Sequence, residues 1–408
     1  MITRVQIKNY RSIEAVDVHL EPLTVLVGRN GSGKSSFVDA IKLVRDAMRV
    51  GLENAIIERH GFGSICRYSA GRKRQIEIGL TFEEEDFYGT YELVLASNKD
   101  GFKIVREKAF CQTTDMIFAE FSDNEAGVSE ISFERQGKDW TMQPSKNPYS
   151  LYPTPPSNLE TTNLLLPIFS IYGPFSAMID QLAGDFHTIF PNTLRQPQKP
   201  MNERSLSDHG DNFVSVLQHL IGRKQTKAEI TNVLSRVVNG ISDIRVRSAA
   251  GFLVAELQHQ DLTSAQSKNG KTNTPWFDLS QESDGTLRML GLLTALYQEA
   301  SQPDTPLLAI EEPEIALHPG ALAVLADELK ACSKRRPLLV TTQSPDLIAR
   351  VAAKDIRVVE KVNGVTQIGP IEESQRQVIE DQLFNAGDLL RIEGLRSAQP
   401  SESSEATV

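Results

Sequence analysis

Residues 24–36 read TVLVGRNGSGKSS, and this stretch decides the fold of the chain. The apolar run of residues 25–27 predicts a buried strand, and Gly28–Ser35 follows it with the spacing G-x-x-x-x-G-K-S. In such a loop the glycines let successive backbone N–H groups point into one concavity at the start of a helix, where they hold phosphate oxygens. Lys34 then reaches the β- and γ-phosphates of a nucleotide, and the Ser35 hydroxyl ligates Mg²⁺. The sequence therefore predicts a nucleotide site with Mg²⁺.

An amphipathic helix is predicted to follow the loop, because apolar residues recur at helical spacing from Phe37 to Met48. The alternative is a glycine-rich turn, or a loop that binds a nucleotide but no longer works. The residues expected to contact the nucleotide are Gly28, Arg29, Asn30, Gly31, Ser32, Gly33, Lys34, Ser35 and Ser36.

The totals indicate a cytoplasmic protein. The chain has 408 residues, a net charge of −10 and three cysteines that form no CxxC pair, which fits a reducing compartment and argues against a zinc or disulfide framework. No apolar run reaches the roughly 18 residues that span a membrane, and the first residues lack the apolar core of a signal peptide. The acidic charge limits contact with DNA to local basic runs, such as residues 72–74 and Lys334–Arg336, which are solvated surfaces in the alternative interpretation.

The fold class predicted from the pattern along the chain is α/β, with a mixed sheet and an antiparallel β-subdomain. Residues 1–110 alternate apolar and polar positions around one helix, as antiparallel strands do. Residues 111–275 are expected to form an inserted, mainly helical lid or partner-binding region, within which residues 196–208 look mobile. The α/β pattern resumes over residues 276–392, and residues 393–408 are expected to be a disordered tail.

A second site-building stretch, residues 307–319, reads LLAIEEPEIALHP. Its two carboxylates follow a buried strand directly, at the edge of the sheet where α/β proteins bind ligands. Alternation along the strand sends Glu311 towards Ser35, where it would hold a Mg²⁺-bound water. Glu312 would point to the γ-phosphate and orient or activate the attacking water. The alternative is an acidic strand end followed by a proline turn.

Residues 279–288 read LSQESDGTLR and also precede a predicted helix. In the structural interpretation Ser283 and Asp284 only cap that helix. In the functional one, Ser283, Gly285 and the helix N-terminus present hydrogen-bond donors to an anion. Because the chain already has one complete phosphate cradle, this second set would serve the nucleotide of another subunit.

A third polar turn, residues 341–345, follows another buried strand and reads TTQSP. Gln343 is neutral, so it can contact the γ-phosphate or a water molecule but cannot act as an acid. A plain strand-to-helix turn is the alternative.

Together these stretches resemble the ABC-type ATPase heads of the RecF/SMC clade, and the likeness is closest to stand-alone predicted ATPases and the ATPase portions of OLD-family proteins. The resemblance implies a P-loop NTPase fold in which Gly28–Ser35 is Walker A, Glu311–Glu312 is Walker B with its catalytic glutamate, and Ser283–Gly285, including Asp284, is the signature motif. Ala316–His318 then resembles the D-loop, which adds His318 to the nucleotide-binding set, and Arg11 matches a basic position near the nucleotide. Further stretches that carry the resemblance are RVQIKNYRSI, SLSDHGDNFVSVLQHL, TTQSPDLI and DQLFNAGDLL.

Such heads pair head-to-tail around two ATP molecules, so the resemblance implies ATP and Mg²⁺ as cofactors and a homodimer formed on ATP binding. Lys34, Glu312 and Gln343 would act in catalysis, and Ser35 and Glu311 would hold the metal. Two departures stand out: Glu311 occupies a position where many relatives have Asp, and Gln343 one where a switch His is common. The chain shows no coiled-coil arm and no acidic nuclease site after residue 337, so we expect any nuclease to be a separate polypeptide.

The resemblance implies an ATP-driven dimer that works on DNA without sequence preference or licenses a separately encoded effector, in DNA repair, plasmid or phage-defence contexts. The alternative is an ATP-dependent dimerisation switch with slow or absent hydrolysis, which Gln343 favours and Glu312 opposes. The long stretch between Lys34 and Ser283 argues against a transporter's ATPase subunit.

Overall fold

One large mixed sheet organises the chain. The computed structural model describes residues 1–68, 74–99, 101–114, 129–143, 160–170, 174–260, 275–298 and 306–398. Within these ranges the large sheet has thirteen strands, and three further strands form a smaller sheet.

The strands in chain order are β1 (Ile2–Tyr10), β2 (Ile13–His19), β3 (Leu23–Val27), β4 (Gln75–Glu84), β5 (Phe87–Asn98), β6 (Gly101–Thr113), β7 (Ser129–Gln136), β8 (Asp139–Gln143), β9 (Asp185–His187), β10 (Ile241–Ala249), β11 (Phe252–His259), β12 (Trp276–Asp278), β13 (Leu308–Glu311), β14 (Leu338–Thr342), β15 (Ile356–Val362) and β16 (Val365–Gly369). The α-helices are α1 (Lys34–Val50), α2 (Leu52–Ile57), α3 (Phe62–Ile65), α4 (Leu166–Phe169), α5 (Pro174–Leu182), α6 (Pro191–Leu194), α7 (Phe213–Ile221), α8 (Lys224–Val237), α9 (Asp284–Tyr297), α10 (Pro319–Ser333), α11 (Pro345–Ile348), α12 (Glu373–Glu380) and α13 (Ala386–Ile392).

The predicted antiparallel part is confirmed. Strands β8, β7, β6, β5, β4, β1 and β2 lie side by side in that order, and β1 pairs antiparallel with both β2 and β4. Val5 and Ile7 of β1 are fully buried, while Gln6 between them reaches the exposed face. Alternating apolar residues form such strands because successive side chains point to opposite faces of the sheet.

The parallel part carries the phosphate-binding loop. Its strands lie in the order β15, β3, β14, β13, β9, and each neighbouring pair is parallel. All five residues of β3 are buried: Leu26 belongs to one hydrophobic cluster, whereas Val25 and Val27 belong to the other. A strand buried on both faces reads as a continuous apolar run. The carboxyl ends of these strands lie at one edge, where α/β sheets bind ligands.

The two parts of the sheet join beside the phosphate-binding loop. β15 and β16 form a hairpin, and β16 pairs with β2 at Thr366 opposite Ile13. The Thr366 hydroxyl donates to the carbonyl oxygen of Ser32 at 2.8 Å and lies 2.8 Å from the Ser12 hydroxyl, which can donate to it. The loop is therefore bonded to both parts of the sheet.

The region expected to be an insertion, residues 111–275, contains strands as well as helices. β7 and β8 extend the antiparallel part, β9 joins the edge of the parallel part, and α7 and α8 pack with the smaller sheet in the second hydrophobic cluster. The boundaries at residues 110 and 275 stay predictions. The segment expected to be mobile is bonded to α1, since the Asp208 carboxylate pairs with Lys42 at 2.6 Å and Arg45 at 2.8 Å.

The tail predicted to be disordered, residues 393–408, was placed too early in the chain, because its first residues are packed and hydrogen-bonded. Leu395 is buried, and the Ser397 N–H donates to the Glu360 carboxylate at 2.8 Å, because this segment packs beside the β15–β16 hairpin. Residues 399–408 lie outside the described residues.

Candidate nucleotide site

The phosphate-binding loop has the backbone that its glycines allow. Gly31 has φ 74° and Gly33 has φ 117°, values that residues with a Cβ rarely adopt. A Cβ on Gly33 would also lie 2.3 Å from the Thr366 hydroxyl oxygen, whereas one on Gly31 would meet open space. Gly33 precedes α1, and in the described residues no side chain caps this helix. The first N–H groups of α1 are therefore left for a ligand.

A cavity of about 240 Å³ at this edge of the sheet is lined by half of the predicted nucleotide-binding residues. It is lined by Arg11, Ser12, Asn30, Gly31, Gly33, Lys34, Ser35, Ser36, Glu312 and Lys361. A neighbouring cavity of about 440 Å³ is lined by the remaining loop residues, Gly28, Arg29 and Ser32, together with β15 and the segment after α13.

Lys34 is held inside the loop. Only 5 % of it is exposed, and its ammonium donates to the carbonyl oxygens of Gly28 at 2.7 Å and Arg29 at 3.2 Å. Burial lowers the pKa of Lys34, and the neighbouring carboxylates, that of Glu312 first among them, act in the opposite direction. A buried cation beside backbone N–H groups is a strong hydrogen-bond donor to phosphate oxygens.

Ser35 and Glu311 meet as the strand alternation predicted. The Ser35 hydroxyl donates to the Glu311 carboxylate at 2.6 Å. Mg²⁺ is held in proteins by one or two oxygen ligands together with substrate phosphates, so this pair fits the metal. The hydroxyl of Ser32 in the same loop is buried without a hydrogen-bond partner among the described residues, which also fits a loop that takes a ligand.

Glu312 lies in a strained conformation on the wall of the cavity. Its φ is 43°, which costs about 1–3 kcal/mol for a residue with a side chain. The Glu312 N–H donates to the carbonyl oxygen of Thr341 at 2.9 Å, and its own carbonyl oxygen accepts from Arg288 Nη2 at 2.7 Å. The two bonds hold the strained residue from both sides, with its side chain in the cavity that Lys34 lines.

Glu314 is a residue that our sequence reasoning missed. Its carboxylate accepts from the Thr342 hydroxyl at 2.6 Å and from the Gln343 N–H at 3.1 Å. Gln343 is exposed and does not line the cavity of Lys34. Its assignment to the γ-phosphate stays a prediction. The one feature of the sequence that could have indicated Glu314 is its position as a third acidic residue shortly after Glu311 and Glu312.

Arg11 lies at the cavity, where the resemblance placed it. The residue has φ 48°, and its guanidinium pairs with Asp39 of α1 at 2.8 Å. The same carboxylate accepts from the Tyr10 hydroxyl at 2.6 Å and from Arg59 at 3.0 Å. Asp39 thereby connects the basic wall of the cavity to the interior of the protein.

The signature stretch does not line the cavity beside the chain's own phosphate-binding loop. Ser283 caps α9 by accepting from the Thr286 N–H at 3.1 Å, as the structural interpretation expected. Ser283 and Asp284 are exposed, and neither lines the cavity of Lys34. Gly285 packs against the loop after β13, because a Cβ there would lie 2.9 Å from the carbonyl oxygen of Ala316.

His318 likewise does not line that cavity. It is exposed and caps α10, with Nδ1 accepting from the Gly320 N–H at 3.1 Å. Its nucleotide-binding role stays a prediction.

The second basic run is not a continuous DNA-binding surface. Arg336 is 5 % exposed, pairs with Asp185 at 3.1 Å and donates to the carbonyl oxygen of Pro306 at 2.9 Å. That side chain cannot reach a DNA phosphate, because burial and the ion pair hold it under the sheet edge. Only Lys334 and Arg335 of the run are exposed. In the first run, residues 72 and 73 lie outside the described residues.

Comparison with known proteins decides the family. Residues 23–349 match the family described as "AAA domain, putative AbiEii toxin, Type IV TA system". The chain belongs to this family. The matched range of the AAA domain begins at β3 and ends just after α11, so it contains the phosphate-binding loop, the signature stretch and the acidic stretch.

Shorter matches relate this chain to named proteins. It is 50% identical over 44 residues to an OLD nuclease of Thermus scotoductus, covering 11% of this chain and 8% of that protein. It is 34% identical over 88 residues to the DNA replication and repair protein RecF of Klebsiella pneumoniae, covering 21% of this chain and 25% of RecF. The matched segments thus span a quarter or less of either relative.

Among solved structures, an SMC head bound to the C-winged helix domain of ScpA matches with a TM-score of 0.50 and 14% identity, covering 92% of this chain and 99% of that one. This likeness shows the fold. Together with the family match and the two relatives it confirms an ABC/AAA-like ATPase of the RecF/SMC/OLD clade. None of the helices in the described ranges has the length and apolar composition that crossing a bilayer requires.

Proposed function

We propose that this chain is a Mg²⁺-dependent ATPase of the cytoplasm. Its nucleotide sites are shared between two subunits that pair head-to-tail. The dimer closes and opens in a cycle, and this cycle acts on DNA or on a separately encoded effector protein. The observation that carries the proposal is the meeting of Lys34, Ser35 and Glu312 at one cavity, with Glu311 hydrogen-bonded to Ser35. The described cysteines are buried and form no disulfide bond with one another, which fits a reducing compartment.

Each residue at the cavity has a role that follows from its chemistry. Lys34 and the N–H groups of the loop bind phosphate oxygens, and Ser35 with Glu311 holds the metal. Glu312 orients a water molecule and accepts its proton as a general base, because its carboxylate lies on the cavity wall. When bound, MgATP supplies the phosphoanhydride bond that is broken.

Shared sites are supported by the position of the signature stretch. Ser283 and Asp284 are exposed on a surface that does not line the chain's own cavity. Donors exposed in this way can serve a nucleotide that another subunit binds, and ATP would then stabilise the dimer because it contacts both chains.

A second candidate function is an ATP-dependent dimerisation switch with little hydrolysis. Gln343, the residue after β14, is exposed, and its backbone N–H is bonded to Glu314 rather than directed into the cavity. A switch of this kind would regulate a partner protein through the lifetime of the dimer.

Phosphate release measured at several protein concentrations tests the proposal, with the wild type beside Glu312→Gln and the mass of each followed with and without ATP. We expect turnover per chain to rise with concentration, and the variant to keep ATP and accumulate as a dimer. Turnover that is independent of concentration, with both proteins monomeric in ATP, would contradict shared sites. ATP-dependent dimers without phosphate release from the wild type would favour the switch.

A further inference from the structure

One arginine outside the signature stretch holds it from both ends. Arg195 follows α6, and its Nη2 donates to the carbonyl oxygen of Glu282 at 2.8 Å. Its Nη1 pairs with the Asp284 carboxylate at 2.7 Å. The two contacts flank Ser283. A planar guanidinium that uses two of its nitrogens in this way fixes direction as well as distance.

The position of Arg195 is itself fixed by close packing. α6 lies against α9 where a Cβ on Gly291 would come within 2.7 Å of Leu194 Cδ1 and 2.8 Å of Ile189 Cγ2. Only a residue without a side chain allows this approach. Because Leu194 directly precedes Arg195, the base of the arginine cannot shift without disturbing the contact between the two helices.

Stability alone gives a weak reason for the ion pair. The Asp284 side chain is 60% exposed and that of Arg195 is 25% exposed, and ion pairs at such sites contribute little to the free energy of unfolding. The neighbouring residue Glu282 has a second partner, because its carboxylate lies 2.7 Å from His259 Nε2 on β11. The contribution of Arg195 to this loop is therefore to fix its conformation.

We propose that Arg195 is a positioning residue for the signature motif: it holds Ser283 and Gly285 in the conformation that contacts the nucleotide bound by the partner subunit. This inference rests on the proposed function. It predicts that the residue acts on the partner's site and leaves the nucleotide affinity of its own chain unchanged.

Arg195→Ala should bind ATP as a monomer with wild-type affinity and lose about tenfold to a hundredfold in kcat, since a small misplacement of a contacting group has an effect of that order. Arg195→Lys keeps the positive charge but lacks the planar guanidinium that contacts two partners at once. Its turnover should therefore lie between that of the wild type and that of Arg195→Ala. The matched control is Arg236→Ala, which removes an exposed arginine paired with Asp327 at 3.7 Å and should turn over like the wild type.

Mixed dimers separate positioning from general damage. A subunit with Arg195→Ala, mixed with one that carries Lys34→Ala, contains one composite site in which the nucleotide loop and the signature stretch are both intact. The mixture should hydrolyse ATP although neither variant alone does so at a comparable rate. A mixture of Arg195→Ala with Ser283→Arg has no such site, so its rate should not exceed the low rate of Arg195→Ala alone.

The same measurement distinguishes the two proposals. Lys34→Ala mixed with Ser283→Arg should recover activity if sites are shared; if it does not, the shared-site function fails and the role of Arg195 fails with it. If that mixture recovers but Arg195→Ala with Lys34→Ala does not, or if Arg195→Ala alone turns over like the wild type, only the role of Arg195 is overturned.

Discussion

Two loops of this protein lead into helices, and they differ in how the N-terminus of the helix is satisfied. The phosphate-binding loop ends at Gly33, and no side chain in the described residues caps α1. The signature loop ends at Ser283, whose hydroxyl caps α9. One helix thus presents unpaired donors to a cavity of its own chain, whereas the other has satisfied one of them internally and presents an exposed surface.

This difference indicates which part of a nucleotide site a single chain supplies. The loop before α1 lies beside Ser35 and Glu312 in a cavity, so a phosphate there finds ligands from several elements. The loop before α9 is held from outside by Arg195 and His259, and its residues Ser283 and Asp284 do not line the cavity of Lys34. Three groups of substitutions would break or sharpen this contrast.

The largest effect is expected for Lys34→Ala. The ammonium is buried in the loop and its hydrogen bonds to phosphate would be charge-assisted, so its loss should weaken ATP binding by about a hundredfold or more. Equilibrium binding of a fluorescent ATP analogue measures this. The control is Lys361→Ala, which removes the same charge from an exposed position on the same cavity wall. Equal losses in both variants would mean that net charge, not the loop, holds the nucleotide.

A smaller effect on binding but a large one on turnover is expected for Ser283→Arg. The bulky cation would occupy the exposed surface of the signature loop and remove the cap of α9, which costs about 1 kcal/mol. Monomer binding of ATP should persist while phosphate release stops. Ser280→Arg, an exposed change of the same size just before the loop, should leave turnover intact. Turnover that survives Ser283→Arg would remove the signature assignment.

The smallest effects concern the glycines of the two loops. Gly33→Ala combines a positive φ with a clash against Thr366, so the free energy of unfolding should fall by about 2–5 kcal/mol. Gly285→Ala meets the Ala316 carbonyl but gains helix propensity, and should cost about 0–2 kcal/mol. Gly31→Ala, which has the positive φ without a clash, should cost about 1–2 kcal/mol. Urea unfolding without nucleotide measures all three, and a larger loss for Gly285→Ala than for Gly33→Ala would contradict the contrast.

Features encoded in short stretches were predictable. The spacing of glycines around Lys34 dictates the loop, and the buried strand before Glu311 predicts the edge of the sheet at which Ser35 meets it. The alternation of residues such as Val5 and Ile7 likewise predicts antiparallel strands. In each case the local period or spacing carries the physical constraint.

Features that depend on distant residues were not predictable. β9 has only three residues, too few to show a period, yet it forms the edge of the sheet. Arg336 looks like its exposed neighbours in the sequence, and only Asp185, brought near by β9, explains its burial. Arg195 is separated by 87 positions from the loop it holds, so no spacing relates the two.

Arg288 gives Glu312 a second role, apart from the one proposed for it in hydrolysis. This arginine is only 3% exposed, and burial lowers its pKa, against which the negative charges of Glu314 and Glu312 act. Replacing Glu312 with glutamine, the usual way to arrest a cycle of this kind, therefore also removes one of two charges that make the buried cation tolerable. In such a variant Glu314 is the remaining one of these two carboxylates that opposes the effect of burial on Arg288.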